Sequence, residues 1–266
     1  MNIFSKEALK GEHILITGAT GGIGYETAKE VVRAGGNVTI TGRNESKLTT
    51  LREECAGING EAHIYISVAD LNEATDRKKV ATEAHQTLGP VTGLVNSAGI
   101  IGGGPLEDTR EEDLREVMEL NYFSTVLFTK EVYKSMKNQE RGSIVNLSSL
   151  SGLRGPHSGT AYSASKFAIT GFTQSFAHEA IEHGIRVNAV CPGYVDTSMG
   201  QEAIRAKGER KGRSYEEERE FAEEGIPSGK LSEADEVARS IVYLLSEAST
   251  NIVGESLKIS GGSVMR

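Results

Sequence analysis

Seven short runs of aliphatic and β-branched residues recur along the chain, alternating with longer stretches of helical periodicity. No other feature narrows the fold as much. The runs fall at 13–17, 37–41, 63–68, 93–97, 143–148, 185–190 and 255–259. Helical patterns occupy 22–34, 46–56, 73–88, 110–137, 160–183 and 234–246. The runs are near-continuously apolar rather than alternating, as parallel strands covered on both faces must be. The alternation predicts an α/β fold: one Rossmann-type, doubly wound parallel sheet of about seven strands with helices on both faces. Sheets of this kind bind ligands at the carboxyl ends of their strands.

The 266 residues suffice for one large core. No compositional break or internal repeat marks a second unit, so one domain over 1–266 is expected. One segment breaks the rhythm. Residues 199–225 carry dense mixed charge where the sheet needs only a short connection, and their tail is helical in composition. An insertion of that length reads as a lid over an active site, the alternative being a solvated surface helix.

Charge and cysteine content exclude several function classes. With 37 acidic and 29 basic residues the net charge is -8, which argues against nucleic acid or an anionic membrane as partner. Cys55 and Cys191 are too few for a disulfide framework and lack metal-ligand spacing, so no metal is expected. Cys191 ends an apolar run and reads as a buried small hydrophobe. The first ten residues lack the apolar core of a secretory signal, and no apolar run reaches membrane-spanning length. A cytoplasmic location is the expectation.

The first apolar run leads directly into Thr17-Gly18-Ala19-Thr20-Gly21-Gly22-Ile23-Gly24 and then a helical pattern. Glycines here let backbone approach a pyrophosphate, whose charge the helix N-terminus meets. Such spacing is common by chance; its place between first strand and first helix gives it weight. An NAD site also places a carboxylate about twenty residues further on, to accept from the ribose hydroxyls. This chain instead reads Thr41-Gly42-Arg43-Asn44. A guanidinium hydrogen-bonds a 2′-phosphate that a carboxylate would repel, so Arg43 favours NADP(H), with NAD(H) the alternative. Thr20 and Gly21 add no second cation.

Tyr162-Ser163-Ala164-Ser165-Lys166 lies near the start of a long helical pattern, with Tyr162 and Lys166 one turn apart on one face. A tyrosine with its ordinary pKa near 10 is a poor base at neutral pH, and a nearby ammonium favours its phenolate. Thirteen residues earlier, Ser149 follows the run 143–148, where its hydroxyl can hold a substrate oxygen. Asn121 interrupts a helical pattern that suits it poorly. It reads as a structural asparagine, as a water ligand, or as a point where the helix opens.

In this order and spacing, the motifs resemble the short-chain dehydrogenase/reductase family over essentially the whole chain. The resemblance is to the Tyr-x-x-x-Lys branch and its 3-oxoacyl-carrier-protein reductases. The family's Thr-Gly-x-x-x-Gly-x-Gly matches 17–24, and its Asn-Asn-Ala-Gly is altered here to Asn96-Ser97-Ala98-Gly99. Its Ser, Tyr, Lys and helix asparagine match Ser149, Tyr162, Lys166 and Asn121. Its proline-glycine element matches Pro192-Gly193, continuing through Val195 to Thr197, and its adenine-contacting aspartate matches Asp70.

The resemblance implies interconversion of a ketone and a secondary alcohol by hydride transfer. Tyr162 would be the general acid/base, and Ser149 would hydrogen-bond the reacting oxygen. Lys166 would bind the nicotinamide ribose and depress the tyrosine pKa, while Asn121 would position a water in the proton relay. Gly18, Gly22 and Gly24 would cradle the pyrophosphate, and Asn96 and Thr197 would line the cofactor pocket. Thr20, Ile23, Arg43, Asp70, Ala98, Gly99, Pro192, Gly193 and Val195 complete the expected cofactor set. A 3-oxoacyl thioester reductase is the alternative within the family. A non-catalytic NADP-sensing or scaffold protein is the alternative outside enzymes, and the intact catalytic set speaks against it.

The expected partner is a small-molecule carbonyl or alcohol, in a pocket built from 100–104, 150–157, Tyr194 and the insertion. Arg154, Arg205, Lys207, Arg210, Lys211 and Arg213 would either attract an anionic substrate or face solvent. A homotetramer or homodimer is expected, with the Tyr162 helix packed on its counterpart; Phe167, Phe172 and Phe176 fit that role, and burial within the subunit explains them equally well. The tail 261–266 would reach a neighbouring subunit.

Overall fold

The computed structural model describes residues 6–265. The expectations for the first ten residues and for the tail extend to residues 1–5 and 266, which lie outside the described residues. Strands β1 (His13–Thr17), β2 (Asn37–Gly42), β3 (Ile64–Val68) and β4 (Gly93–Asn96) alternate with helices α1 (Gly22–Arg33), α2 (Glu45–Ile58) and α3 (Ala74–Leu88). After β4 come α4 (Glu111–Met118), a π-helical turn (Glu119–Ser124) and α5 (Thr125–Gln139). Then follow β5 (Gly142–Leu147), α6 (Thr160–Ile181) and β6 (Ile185–Pro192). Helices α7 (Ser198–Lys211), α8 (Tyr215–Glu224) and α9 (Ala234–Leu245) precede the last strand, β7 (Ser256–Ile259).

All seven strands are parallel, in the order β3-β2-β1-β4-β5-β6-β7. The order reverses between β1 and β4, and a ligand crevice opens at such a reversal. Each strand sends alternate side chains to opposite faces, so the two sides of the sheet collect separate cores. Ile14, Ile16, Val38 and Ile40 pack with Val31 of α1, Leu48 and Leu51 of α2, and Ile241 of α9. Leu15, Leu94, Ile144 and Val187 meet Val80 of α3, Phe128 and Val132 of α5, and Phe176 of α6. Burial on both faces is what made the strands read as unbroken apolar runs.

Two elements differ from the sequence reading. The helical pattern at 110–137 is broken at residues 119–124 by the π-turn around Asn121. The insertion at 199–225 is a pair of helices with orderly ends. Thr197 caps α7 by accepting from the Gly200 N–H, and Gly212 ends the helix in the left-handed region. Ser214 and Glu217 form a capping box that starts α8. No helix among the described residues is long and apolar enough to cross a membrane.

Candidate active site

A cleft runs along the carboxyl ends of the strands. Gly18, Thr20, Gly22, Ile23 and Gly24 line it at the β1–α1 turn. Arg43 lines it past β2, Asp70 past β3, Ala98 and Gly99 past β4, and Thr197 past β6. At its β1–α1 end the backbone is packed as closely as atoms allow. A Cβ on Gly22 would strike the Thr197 methyl, and one on Gly24 would strike the Gly18 carbonyl and the Ser97 hydroxyl.

Helix α1 follows Gly21, which offers no capping side chain, and has no acid in its first turn. Its first N–H groups are thus available to an anion. At the β2 end the buried Thr41 hydroxyl, beside the cleft, has no hydrogen-bond partner. Bare N–H groups at one end and an unpaired hydroxyl beside an exposed guanidinium at the other fit a dinucleotide with its pyrophosphate against α1.

The opposite end of the cleft meets the Tyr162–Lys166 helix. Both residues lie on α6, with Lys166 Nζ 5.6 Å from the Tyr162 ring centroid. Lys166 is buried, and its ammonium donates to the Leu147 carbonyl at 2.8 Å, at the last residue of β5. Ser149 stands two residues further on in extended backbone, and its hydroxyl lowers the proton affinity of the Tyr162 phenol. The buried Asn121 amide accepts from the Ile100 N–H at 2.8 Å. It donates to the Ile100 carbonyl at 2.9 Å and to Ser165 Oγ at 3.0 Å. A side chain at Gly99 would stand 3.1 Å from Asn121 Oδ1 and 3.6 Å from Lys166 Nζ. Because Gly99 has none, both groups border the end of the cleft.

Residues 12–208 match the family model described as short chain dehydrogenase. The chain belongs to the short-chain dehydrogenase/reductase family. It is 34% identical over 257 residues to 3-oxoacyl-[acyl-carrier-protein] reductase FabG of Thermotoga maritima, covering 97% of this chain and 99% of the relative. It is similar to a point variant of actinorhodin polyketide ketoreductase with NADPH, at a TM-score of 0.91 and 31% identity, covering 95% and 97% of the two chains. NAD+-bound xylitol dehydrogenase superposes with a TM-score of 0.92 at 25% identity, covering 96% and 99%. The chain is therefore an oxidoreductase acting on alcohol and carbonyl groups of small molecules with a nicotinamide cofactor.

The remaining expected residues of this short-chain dehydrogenase/reductase lie at different depths in the fold. Asn96 does not line the cleft: its amide turns into the core and donates to Thr129 Oγ1 at 2.9 Å and Asn146 Oδ1 at 2.8 Å, tying β4 to β5 and α5. Pro192 completes β6, the Gly193 N–H donates to the Ile259 carbonyl at 2.9 Å, and Val195 is buried in the core. Of the three phenylalanines expected to face another subunit, only Phe167 is exposed. Phe176 packs edge-on against Tyr133 inside the subunit, and Phe172 stacks on Phe176.

Proton affinity in the site is shaped by burial. Burial pushes the Tyr162 phenol up to about 12, against the smaller pull of its Ser149 hydrogen bond. Burial likewise takes Lys166 down to about 8. Desolvation is the largest cause of both shifts, and it disfavours the charged form of each group.

The sequence reading missed Thr41, whose role depends on burial, and Ser165, whose hydroxyl joins Asn121 to the Tyr162 backbone. The position of Ser165 inside the Tyr-x-x-x-Lys motif was the only signal for it. Ser97, where the family has asparagine, serves as a backbone tie: its hydroxyl donates to the Thr17 carbonyl.

The insertion's charges are ordered. Lys207, Lys211 and Arg213 converge on Glu218, whose side chain is fully buried. Burial disfavours that carboxylate, yet bonds from Lys207 and Arg213 hold its pKa below the usual range. Lys207 also reaches the Tyr194 hydroxyl. Three of the cations considered for anion recognition are thus engaged within the insertion. Arg219 pairs with Asp196 at 2.7 Å and fastens α8 to the turn before α7.

Proposed function

We propose that the chain interconverts a ketone and a secondary alcohol by hydride transfer with NADP(H), with Tyr162 as general acid/base. The observation that carries this reading is Tyr162, beside Ser149 and with Lys166 Nζ 5.6 Å from its ring centroid, at the end of the cleft. Gly18, Gly22, Ile23 and Gly24 would hold the pyrophosphate, Arg43 and Thr20 the adenosine phosphate, and Asp70 the adenine. Ala98, Gly99, Thr197 and Lys166 would hold the nicotinamide half, which when bound supplies or accepts the hydride.

Ser149 fixes the carbonyl oxygen, and the Tyr162 phenol, kept protonated by burial, donates its proton to the developing alkoxide. Lys166 stabilises the phenolate that remains, and Asn121 holds a water through which the proton is replaced. Arg43 supports NADP(H) because its guanidinium is 70% exposed and paired only loosely, 4.0 Å from Asp70. It can turn to a 2′-phosphate at little cost. The similarity to a named 3-oxoacyl reductase favours a second substrate reading, a 3-oxoacyl thioester.

The enzyme acts as a cytoplasmic homodimer or homotetramer, with exposed Phe123, Leu127 and Phe167 supporting a contact between copies. The α7–α8 pair forms a wall of the substrate pocket and moves as a lid.

NADPH and NADH titrations, followed by turnover on ketones and acetoacetyl thioesters, test the reading. Tight NADPH binding is expected, with turnover on one substrate class. Tyr162→Phe should remove nearly all turnover and leave NADPH affinity unchanged. Substantial residual turnover in that variant would reject the role of Tyr162.

A further inference from the structure

Ser165 has no part in the chemistry above, yet it is fully buried between two residues that do. Its hydroxyl donates to the Tyr162 carbonyl at 2.7 Å and accepts from Asn121 Nδ2 at 3.0 Å. A primary amide has two N–H donors, and the second goes to the Ile100 carbonyl while Oδ1 accepts from the Ile100 N–H. Turning the amide over would set oxygen against oxygen and donor against donor. Ser165 therefore completes a chain of bonds that runs from the end of the cleft at Ile100, through the π-turn, to the backbone of Tyr162.

Packing alone does not call for a hydroxyl here. Alanine would fill nearly the same volume and is the better helix former, whereas an interior serine bonds back to its own helix and weakens it slightly. The π-turn carries the complementary demand. An extra residue in a helical turn needs bonds from outside the helix to fix it, and such turns recur at functional sites. Asn121 Oδ1 and Lys166 Nζ face the same space beside Gly99, so a shift of the π-turn would change their separation. It would leave the β1–α1 turn and Ser149 untouched.

We propose that Ser165 is a positioning residue for proton transfer, acting through Asn121 to keep the π-turn in register with the Tyr162–Lys166 pair. This inference rests on the reaction proposed above. Its test is steady-state kinetics across pH, with NADPH affinity read separately from the cofactor's own fluorescence. Ser165→Ala, Ser165→Cys and Ser165→Thr are each made alone and in an Asn121→Ala background.

Loss of the hydroxyl is expected to lower kcat about tenfold, the rate equivalent of one buried hydrogen bond, and to move a limb of the pH profile. KM for the carbonyl and NADPH affinity stay as in the parent. Ser165→Thr, which keeps the hydroxyl, restores most of the rate. In the Asn121→Ala background, Ser165→Ala costs nothing further, because its route of action is already gone. Should the alanine variant not fold, Ser165→Cys keeps the volume with a poor acceptor and makes the same comparison. A parental kcat and pH profile in Ser165→Ala would overturn the proposal, as would the same fold-loss in both backgrounds or a loss that tracks weakened NADPH binding. An enzyme that needs Tyr162 but is indifferent to Ser165 defeats this inference alone. One that turns over normally without Tyr162 defeats the reaction itself.

Discussion

At Arg43 the choice of cofactor falls to one side chain. Its pairing with Asp70 spans 4.0 Å and both groups are solvated, so the pair contributes at most about 1 kcal/mol and gives way to a stronger anion. A phosphate offers charge-assisted bonds that Asp70, at that distance, does not make. Arg43→Asp replaces that cation with an acceptor for ribose hydroxyls and places a repelling charge beside any 2′-phosphate. Its NADPH affinity is expected to fall at least tenfold and its NADH affinity to rise, measured by paired titrations. An unchanged ratio of the two affinities would show that Arg43 does not read the phosphate. Residue type, position after a strand and motif spacing made Arg43, Ser149, Tyr162 and Lys166 legible in the sequence. Thr41 was not legible, because an unpaired hydroxyl is a property of its surroundings.

Among the elements, the α7–α8 pair departs furthest from what its composition suggested. Its dense charge read as a lid or a solvated surface helix; basic residues gather in 205–213 and acidic ones in 216–224, and Glu218 carries the contact between the two arms inside the pair. Ile204, Ile226 and Leu231 add a small apolar core flanked by Tyr194 and Tyr215. Glu218→Gln would leave Lys207 and Arg213 gathered around a neutral group. Because these cations are partly exposed, water recovers some of the loss, and a destabilisation of about 2 kcal/mol confined to the pair is expected. Limited proteolysis should then cut within 199–225 well before the rest of the chain, with NADPH affinity unchanged. Cleavage no faster than in the parent would mean that the apolar contacts alone hold the two helices. The break of the long helix at Asn121 was half legible, since asparagine suits a helix interior poorly, but its partners Ile100 and Ser165 come from other elements.

At the scale of the whole molecule, His13 ties β2 and the turn after α3 together at the end of the sheet opposite the cleft. Its Nδ1 lies 2.9 Å from the Gly89 carbonyl, which can only accept, so Nδ1 carries the proton and Nε2 accepts from Thr39 Oγ1 at 2.8 Å. Burial lowers the His13 pKa below its ordinary 6.5. The unfolded chain takes up a proton near 6.5 while the folded one resists, so this stability is complete above that value. It is lost as pH falls below 6.5 toward the folded pKa. The melting temperature should fall between about pH 6.5 and 5, before carboxylates begin to titrate, and His13→Gln should flatten that limb. An equally steep limb in the variant would assign it to other groups. The sequence by itself determined the parallel sheet, its order of elements, the family, and which residue types stand after which strand. Period, turn chemistry and motif spacing are local and survive in a linear reading. Only the tertiary structure decided that Asn96 turns into the core, that the insertion's charges close on one carboxylate, and that Ser165 joins Asn121 to the Tyr162 backbone. Each depends on how much water and which distant groups surround an atom, and packing alone sets both.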